Sequence, residues 1–142
     1  VGFKTIKNSD YSSIKKVASG GELSRLLLIM KSFISKNDKN KTIIFDEVDS
    51  GLSGKVSGVV ADKIVEISKY NQVLAITHSP QVAAKADKHW KIVKNIKNSN
   101  IMESSIIELN EEERIEEIAN IFSGSSLSEA SREVAKELLL KK

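Results

Sequence analysis

The sequence contains no cysteine, a single proline and few aromatic residues, which make up 5% of the chain. The lack of cysteine excludes disulfide bonds and thiolate metal sites, and it fits a reducing compartment. The low proline and aromatic content favours helices interleaved with short strands over a β-sandwich. There is no apolar run of membrane-spanning length and no charged-then-apolar leader, so we expect a soluble intracellular domain.

Length and charge set further bounds. The 142 residues suffice for one domain with its own core. The chain begins with Val1 rather than methionine, so we expect it to be part of a longer protein. Its 22 Lys and Arg residues barely exceed its 19 Asp and Glu residues, which by itself does not indicate nucleic-acid binding. The sequence also lacks a basic stripe with interleaved aromatics, so it does not show where DNA would bind.

Hydrophobic periodicity predicts an α/β chain. The predicted strands cover 1–7, 42–46, 72–77, 89–94 and 101–109, with polar turns at 8–13 and 95–100, and the predicted helices cover 26–34, 54–70, 110–122 and 129–140. The first of these helices is apolar nearly all round, which predicts that it is buried. In the second, Val56, Val60, Ile64 and Ile67 form the inward face. Because it joins two apolar strands, we expect a right-handed βαβ unit with parallel strands.

The stretch Thr42–Leu52 contains the first candidate site of the chain. The apolar residues 43–45 run directly into Asp46 and Glu47, and a polar turn follows. Such a run predicts a strand buried on both faces of a parallel sheet, whose carboxyl edge is where ligands bind. One of the two carboxylates could hold magnesium through water while the other accepts a proton from an attacking water. The alternative is a strand that ends in a solvated acidic turn.

A second candidate site is Ser19-Gly20-Gly21-Glu22, directly before the apolar helix. Ser19 and Glu22 fit a capping box, in which each side chain satisfies a backbone amide at the helix start. Capping does not need two glycines, and each costs roughly 1 kcal/mol relative to alanine inside a helix. Glycines leave the backbone uncovered at a helix N-terminus, which favours binding of a phosphate.

His78 follows the strand 72–77 at the same sheet edge as Asp46 and Glu47. A lone histidine is more often structural than catalytic, but this placement favours contact with a ligand phosphate. A new helix is predicted to begin behind it, with Ser79 as N-cap and Pro80 in the first position. His89 lies in the predicted hairpin without such a partner, and we interpret it as structural.

The segment 51–55 ends in Gly54-Lys55 and partly matches a Walker A loop, G-x-x-x-x-G-K-[ST]. The match fails because Asp49 occupies the first glycine position and Val56 the last. No other segment supplies this loop. The chain alone therefore has no cradle for a triphosphate.

Taken together, these motifs resemble those of the ATP-binding-cassette (ABC) ATPases. Residues 19–22 resemble the signature motif, 43–47 Walker B, 49–52 the D-loop, and His78 the switch histidine, in the order of that family. The longer forms ASGGELSR (18–25), FDEVDSG (45–51) and THSPQVAA (77–84) resemble the RecN family, bacterial ATPases of DNA double-strand-break repair related to the structural-maintenance-of-chromosomes (SMC) proteins.

The resemblance implies that residues 1–142 form the C-terminal half of a split ATPase head with an α/β fold, mainly parallel strands, and a C-terminal hairpin with two helices. Walker A and a coiled coil would lie in the absent N-terminal half. The implied ligands are ATP and Mg²⁺. Asp46 would hold magnesium, Glu47 would polarise the attacking water, and His78 would contact the γ-phosphate. Ser19, Gly20, Gly21 and Glu22 would bind ATP held by the opposite head, and Asp49 would lie at that interface.

The family further implies a cytoplasmic, nucleoid-associated bacterial protein that acts on DNA ends as a homodimer with ATP between its heads, and not at a membrane. The full protein would be an ATPase, whereas this chain alone is predicted to be inactive. Two alternatives stay open at this point. One is an ABC-transporter ATPase subunit, and the other is a non-catalytic module whose nucleotide gates dimerisation.

Overall fold

The computed structural model describes residues 2–3, 12–13, 20–35, 37–97, 101–124 and 127–141. Its strands are β1 (Gly2–Phe3), β2 (Ser12–Ser13), β3 (Thr42–Asp46), β4 (Gln72–Ile76), β5 (Trp90–Lys97) and β6 (Ile101–Glu108). Its helices are α1 (Gly20–Ile34), α2 (Gly54–Ser68), α3 (Pro80–Lys85), α4 (Glu111–Ser123) and α5 (Glu129–Leu140). The chain divides into an N-terminal unit, Val1–Val82, and a C-terminal unit, Ala83–Lys142.

The N-terminal unit contains the predicted strand–helix–strand arrangement. β3 and β4 pair in parallel, with Thr42 opposite Gln72 and Asp46 opposite Ile76, and α2 connects them. The parallel βαβ prediction is therefore confirmed. One face of this pair packs into the main core of the unit, whose buried members are Leu28, Phe45, Val48, Val60, Ala61, Ile64, Ile67 and Val82.

The other face of the β3–β4 pair is uncovered in this chain. Ile44 is 63% exposed and Ile76 is 51% exposed. Successive side chains of a strand point to opposite faces, so the core that covers Phe45 leaves Ile44 open. The prediction that β3 is buried on both faces is thus wrong for the described chain, because the described helices supply core residues to one face only.

Helix α1 also differs from its prediction. Leu28 is fully buried, but Phe33 is 79% exposed. Four other apolar residues of the helix have roughly half of their surface exposed: Leu27, Ile29, Met30 and Ile34. The expectation of a helix buried all round is wrong here, because only one side of α1 joins the core.

Helix α2 ends at Ser68, two residues before the predicted end. Val60, Ile64 and Ile67 are buried as predicted, but Val56 is half exposed. The buried stripe includes Ser57 and Ala61, so it is rotated away from Val56.

Of the strand predicted at 1–7, the described residues show Gly2–Phe3, paired antiparallel with Ser12–Ser13. Ser12–Ser13 had been predicted as part of a turn, and that prediction is wrong. The rest of the predicted strand and turn lies outside the described residues.

The C-terminal unit consists of a hairpin and two helices. β5 and β6 pair antiparallel from Trp90 opposite Glu108 to Lys97 opposite Ile101, which confirms the hairpin. Residues 95–97 belong to β5 and not to the predicted turn, because their ladder with β6 continues to the end of the strand.

Helix α4 starts with a capping box formed by Asn110 and Glu113. The Asn110 side chain accepts from the Glu113 amide at 2.9 Å, and the Glu113 carboxylate accepts from the Asn110 amide at 2.8 Å. Ile118 is fully buried with alanines of α3, α4 and α5, and Ile121 rather than Phe122 faces this core. Every helix among the described residues is too short or too polar to cross a bilayer.

Candidate functional site

The carboxyl ends of β3 and β4 bring three predicted site residues to one edge. Asp46 is the last residue of β3, and Glu47 follows it. The Glu47 amide donates to the Ile76 carbonyl at 3.0 Å, so the parallel pairing extends one residue past the strand. His78 lies two residues after Ile76. Asp46, Glu47 and His78 therefore come from one sheet edge, and all three are exposed.

The backbone turns sharply at Glu47, whose φ of 47° is in the left-handed region. Such a φ is uncommon for a residue other than glycine, and strained backbone of this kind clusters at functional sites. The Ser50 amide donates to the Glu47 carbonyl at 3.0 Å, and the adjacent Val48 is fully buried. The turn thus leaves the Glu47 side chain accessible to solvent while Val48 anchors it to the core.

Asp49 has a different environment from the two exposed carboxylates. It is only 8% exposed and accepts a hydrogen bond from the Thr77 hydroxyl, 28 residues away in sequence. The Ser79 amide donates to the same hydroxyl oxygen at 2.9 Å. Asp49 therefore holds Thr77, and the Thr77 hydroxyl in turn holds Ser79 on the other side of His78.

The glycine motif begins helix α1, with Gly20 and Gly21 as its first two residues. Glu22 lies in the first turn, and Ser19 lies outside the described residues. The Arg25 guanidinium donates from Nη1 to the Ser50 carbonyl at 3.3 Å. This bond brings α1 to the turn that follows Asp46 and Glu47. Hydrogen bonds of Arg25 and Thr77 therefore join the glycine motif and the segment of His78 to this turn.

The donor chemistry of this edge fits magnesium bound together with phosphate. No cluster of three or more carboxylate or imidazole side chains with metal-binding geometry occurs within the described ranges. Mg²⁺ keeps several waters and usually takes one or two carboxylates plus substrate phosphates, so it does not require such a cluster. The exposed Asp46 carboxylate, next to Glu47, is the group that would hold it.

His89 lies in the C-terminal unit. Burial lowers the pKa of its imidazole below the ordinary value, and Arg114 lowers it further. Its Nδ1 is buried without a hydrogen-bond partner. The Arg114 Nη2 donates to the Ala86 carbonyl at 2.7 Å, and the positive charge of this guanidinium disfavours protonation of the imidazole.

Two residues of this site were not predicted from the sequence. The role of Thr77 depends on a bond to Asp49 over 28 residues, and that of Arg25 on a bond to Ser50 over 25 residues. Their positions next to His78 and after the glycine motif are the only sequence signals that could have drawn attention to them.

The chain is similar to several DNA repair proteins named RecN. It is 45% identical over 126 residues to RecN of Halalkalibacterium halodurans and 45% identical over 127 residues to RecN of Bacillus subtilis. RecN of Rickettsia bellii is 42% identical over 139 residues. These alignments cover 89%, 89% and 96% of this chain but 22%, 22% and 25% of the relatives. The chain thus spans about a quarter or less of their length.

A solved structure, from work on ATP-driven dimerization and DNA-stimulated activation of SMC ATPases, has the same fold over most of the chain. The TM-score is 0.53 at 27% sequence identity, and the match covers 84% of this chain and 70% of that chain. No protein-family model matches the sequence. Over most of its length the chain is therefore a relative of part of the RecN DNA repair proteins, and it has the α/β fold of an SMC ATPase.

Proposed function

We propose that this chain is the C-terminal half of the ATPase head of a RecN-like protein, which uses ATP-driven head dimerisation and ATP hydrolysis in recombinational repair of DNA double-strand breaks. The observation that carries this proposal is the meeting of Asp46, Glu47 and His78 at one sheet edge. The relatives' shared name, DNA repair protein RecN, supports the biological role and disfavours a transporter subunit. Such a protein would act on DNA in the bacterial cytoplasm, associated with the nucleoid.

In this proposal Glu47 is the general base. Its side chain is exposed just after the end of β3, and its backbone is fixed by the Ile76 carbonyl at 3.0 Å. A carboxylate held in this way can accept a proton from the water that attacks the γ-phosphate. Asp46 would hold the magnesium ion, which when bound neutralises charge on the phosphates. His78 would contact the γ-phosphate from the neighbouring strand end.

The start of helix α1 would bind the nucleotide held by the opposite head. Gly20 and Gly21 carry no side chains over the first turn, so backbone amides of a helix N-terminus are open to a phosphate. Ser19 and Glu22 complete this motif in the sequence. The turn that contains Asp49 is bonded to α1 through Arg25 and Ser50, so we place it beside the same interface. ATP would thus join two heads in a homodimer.

The uncovered apolar face of the N-terminal unit supports the assignment to half of a head. Ile44 and Ile76 expose more than half of their surface on the open side of the β3–β4 pair. Exposed apolar patches of this kind mark surfaces that pack against another element. We propose that the half of the head that carries Walker A, which would precede the coiled coil, covers this face.

The substitution Glu47→Gln in the full-length protein tests the catalytic assignment. Loss of a general base typically lowers the rate by about 10²- to 10⁴-fold, so hydrolysis should fall by that order while ATP binding and ATP-dependent dimerisation persist. The matched control is Glu111→Gln, at an exposed carboxylate in the first turn of α4, which should leave turnover unchanged. Wild-type turnover in Glu47→Gln would remove Glu47 from the mechanism and leave the non-catalytic, nucleotide-gated module as the explanation.

Gly21→Asp in the full-length protein tests the proposed phosphate contact in trans. A carboxylate at the first turn of α1 would repel the phosphate, so ATP-dependent dimers should be lost. Normal dimerisation and hydrolysis would show that α1 does not approach the nucleotide. Isothermal titration of the isolated chain with Mg-ATP completes the test, because a chain without Walker A should bind weakly and hydrolyse nothing.

A further inference from the structure

We propose that Thr77 is a positioning residue, whose hydroxyl, held by the buried Asp49 carboxylate, fixes the segment that carries His78. This inference rests on the proposed ATPase function, because it assigns a role within the same site. In this arrangement the Asp49 carboxylate acts within its own chain, by accepting the hydrogen bond of Thr77.

The Thr77 hydroxyl acts as both a hydrogen-bond donor and a hydrogen-bond acceptor. It donates to Asp49 Oδ2 and accepts from the Ser79 amide at 2.9 Å. A hydroxyl has one donor hydrogen and two acceptor lone pairs, so both bonds can exist at once. The bond from the amide two residues ahead closes a short turn around His78. The backbone of His78 is therefore fixed on both sides by a single oxygen atom.

Burial makes this arrangement costly to break. Asp49 and Ser79 are each 8% exposed. A buried carboxylate is unfavourable unless it is hydrogen-bonded, and a bond in which one partner is charged is stronger than a neutral one. The Ser79 hydroxyl donates in turn to Gln81 Oε1 at 2.8 Å, which continues the network into α3. Asp49 thus anchors the segment from Thr77 to the start of that helix.

The same network connects His78 to the proposed base. Asp49 lies two residues after Glu47, in a turn closed by the bond from the Ser50 amide to the Glu47 carbonyl at 3.0 Å. Thr77 directly precedes His78. A displacement of the Glu47 turn therefore displaces the His78 segment as well, because the Asp49–Thr77 bond connects them. In this way Glu47 and His78, the residues proposed to act on the γ-phosphate, keep their positions relative to each other.

The test compares three threonine variants of the full-length protein. Thr77→Val removes the hydroxyl at nearly constant shape, and Thr77→Ser retains it. The matched control is Thr42→Val at the opposite end of the same sheet, where an exposed threonine donates to Gln72 Oε1 at 2.9 Å. For each variant we would measure the single-turnover hydrolysis rate, the ATP dissociation constant, and hydrogen exchange of the peptide that contains Ser79.

Misplacement of a reacting group by about 1 Å can cost on the order of 10²-fold in rate. We therefore expect Thr77→Val to lower the single-turnover rate by about 10- to 100-fold with an unchanged ATP dissociation constant. Exchange of the Ser79 amide should become faster, because its acceptor is gone. Thr77→Ser should recover most of the rate, and Thr42→Val should match the wild type in all three measurements.

Asp49→Ala, which removes the acceptor of the Thr77 hydroxyl, supplies a second test if Thr77→Val does not fold. The intrachain role predicts a lower single-turnover rate with ATP-dependent dimerisation retained, whereas lost dimerisation with a normal rate per dimer would overturn it. A normal rate in a folded Thr77→Val variant would overturn it as well. In either case an active wild type that depends on Glu47 would show that the proposed function stands and only the positioning role fails.

Discussion

Two glycines in the N-terminal unit should respond in opposite ways to the same substitution. Gly51, in the turn after Glu47, has a φ of 71°, and an added Cβ would meet no atom within 4 Å. Gly58, inside helix α2, has equally open surroundings, and its φ lies outside the left-handed region. Since neither position is limited by space, the effect of alanine should depend on the backbone conformation alone.

The expected magnitudes follow from these conformations. An L-residue in the left-handed region costs roughly 1–2 kcal/mol, so Gly51→Ala should destabilise the chain by that amount. Alanine is favoured over glycine in a helix interior by about 0.5–1 kcal/mol, so Gly58→Ala should stabilise it. The two variants should therefore differ by roughly 1.5–3 kcal/mol.

Urea unfolding followed by far-UV circular dichroism measures this difference. With a slope of about 1.5 kcal/mol per M, the two midpoints should be about 1–2 M apart, with the wild type between them. A Gly51→Ala variant as stable as the wild type would contradict this prediction, because it would show that the turn after Glu47 does not require a left-handed residue. In that case the ATPase rate of the full-length Gly51→Ala variant would not report on the conformation of this turn.

Three further predictions concern the C-terminal unit, whose unfolding the fluorescence of Trp90, the only tryptophan, can follow. Ile118→Ala should destabilise this unit by about 2–5 kcal/mol, because the side chain is fully buried. Ile106→Ala should cost less than about 1 kcal/mol, because Ile106 is 70% exposed. Equal losses of stability in the two variants would contradict the assignment of Ile118 to the core. Asn110→Ala should cost about 1 kcal/mol through the lost cap, and an unchanged midpoint would argue against the capping box. Because the folded pKa of His89 is lowered, the unfolded chain binds its proton more readily, so stability should fall as the pH drops below 6.5, and His89→Gln should flatten that dependence.

The local sequence was sufficient to predict most helices and strands and to mark the candidate site residues. Hydrophobic periodicity and the helix-start signal at Pro80 predicted most elements, because each depends on neighbours within a few residues. The parallel pairing followed as well, since two apolar strands joined by an amphipathic helix have few other arrangements. The resemblance to the RecN family rested on the same local motifs, and the relatives confirmed it.

Burial was predicted less well, because it depends on which surfaces meet. Apolar patterns marked Ile44, Phe33 and Val56 as interior, yet each is exposed in the described chain. A periodic pattern shows that a side chain is suited to a core, but it does not show whether this chain supplies the covering element. That information lies in the arrangement of helices on one face of the β3–β4 pair.

The way in which the candidate site is held depends on contacts between residues that are distant in sequence. The left-handed backbone of Glu47, the burial of Asp49 and its bond to Thr77 have no signal in the local sequence. Each arises because the parallel register places the end of β3 beside the end of β4, which brings residues 28 positions apart within hydrogen-bonding distance. Residue types and their spacing determined which chemistry this edge can perform, whereas the packing of one strand end against the other determined which side chains face solvent and which position them.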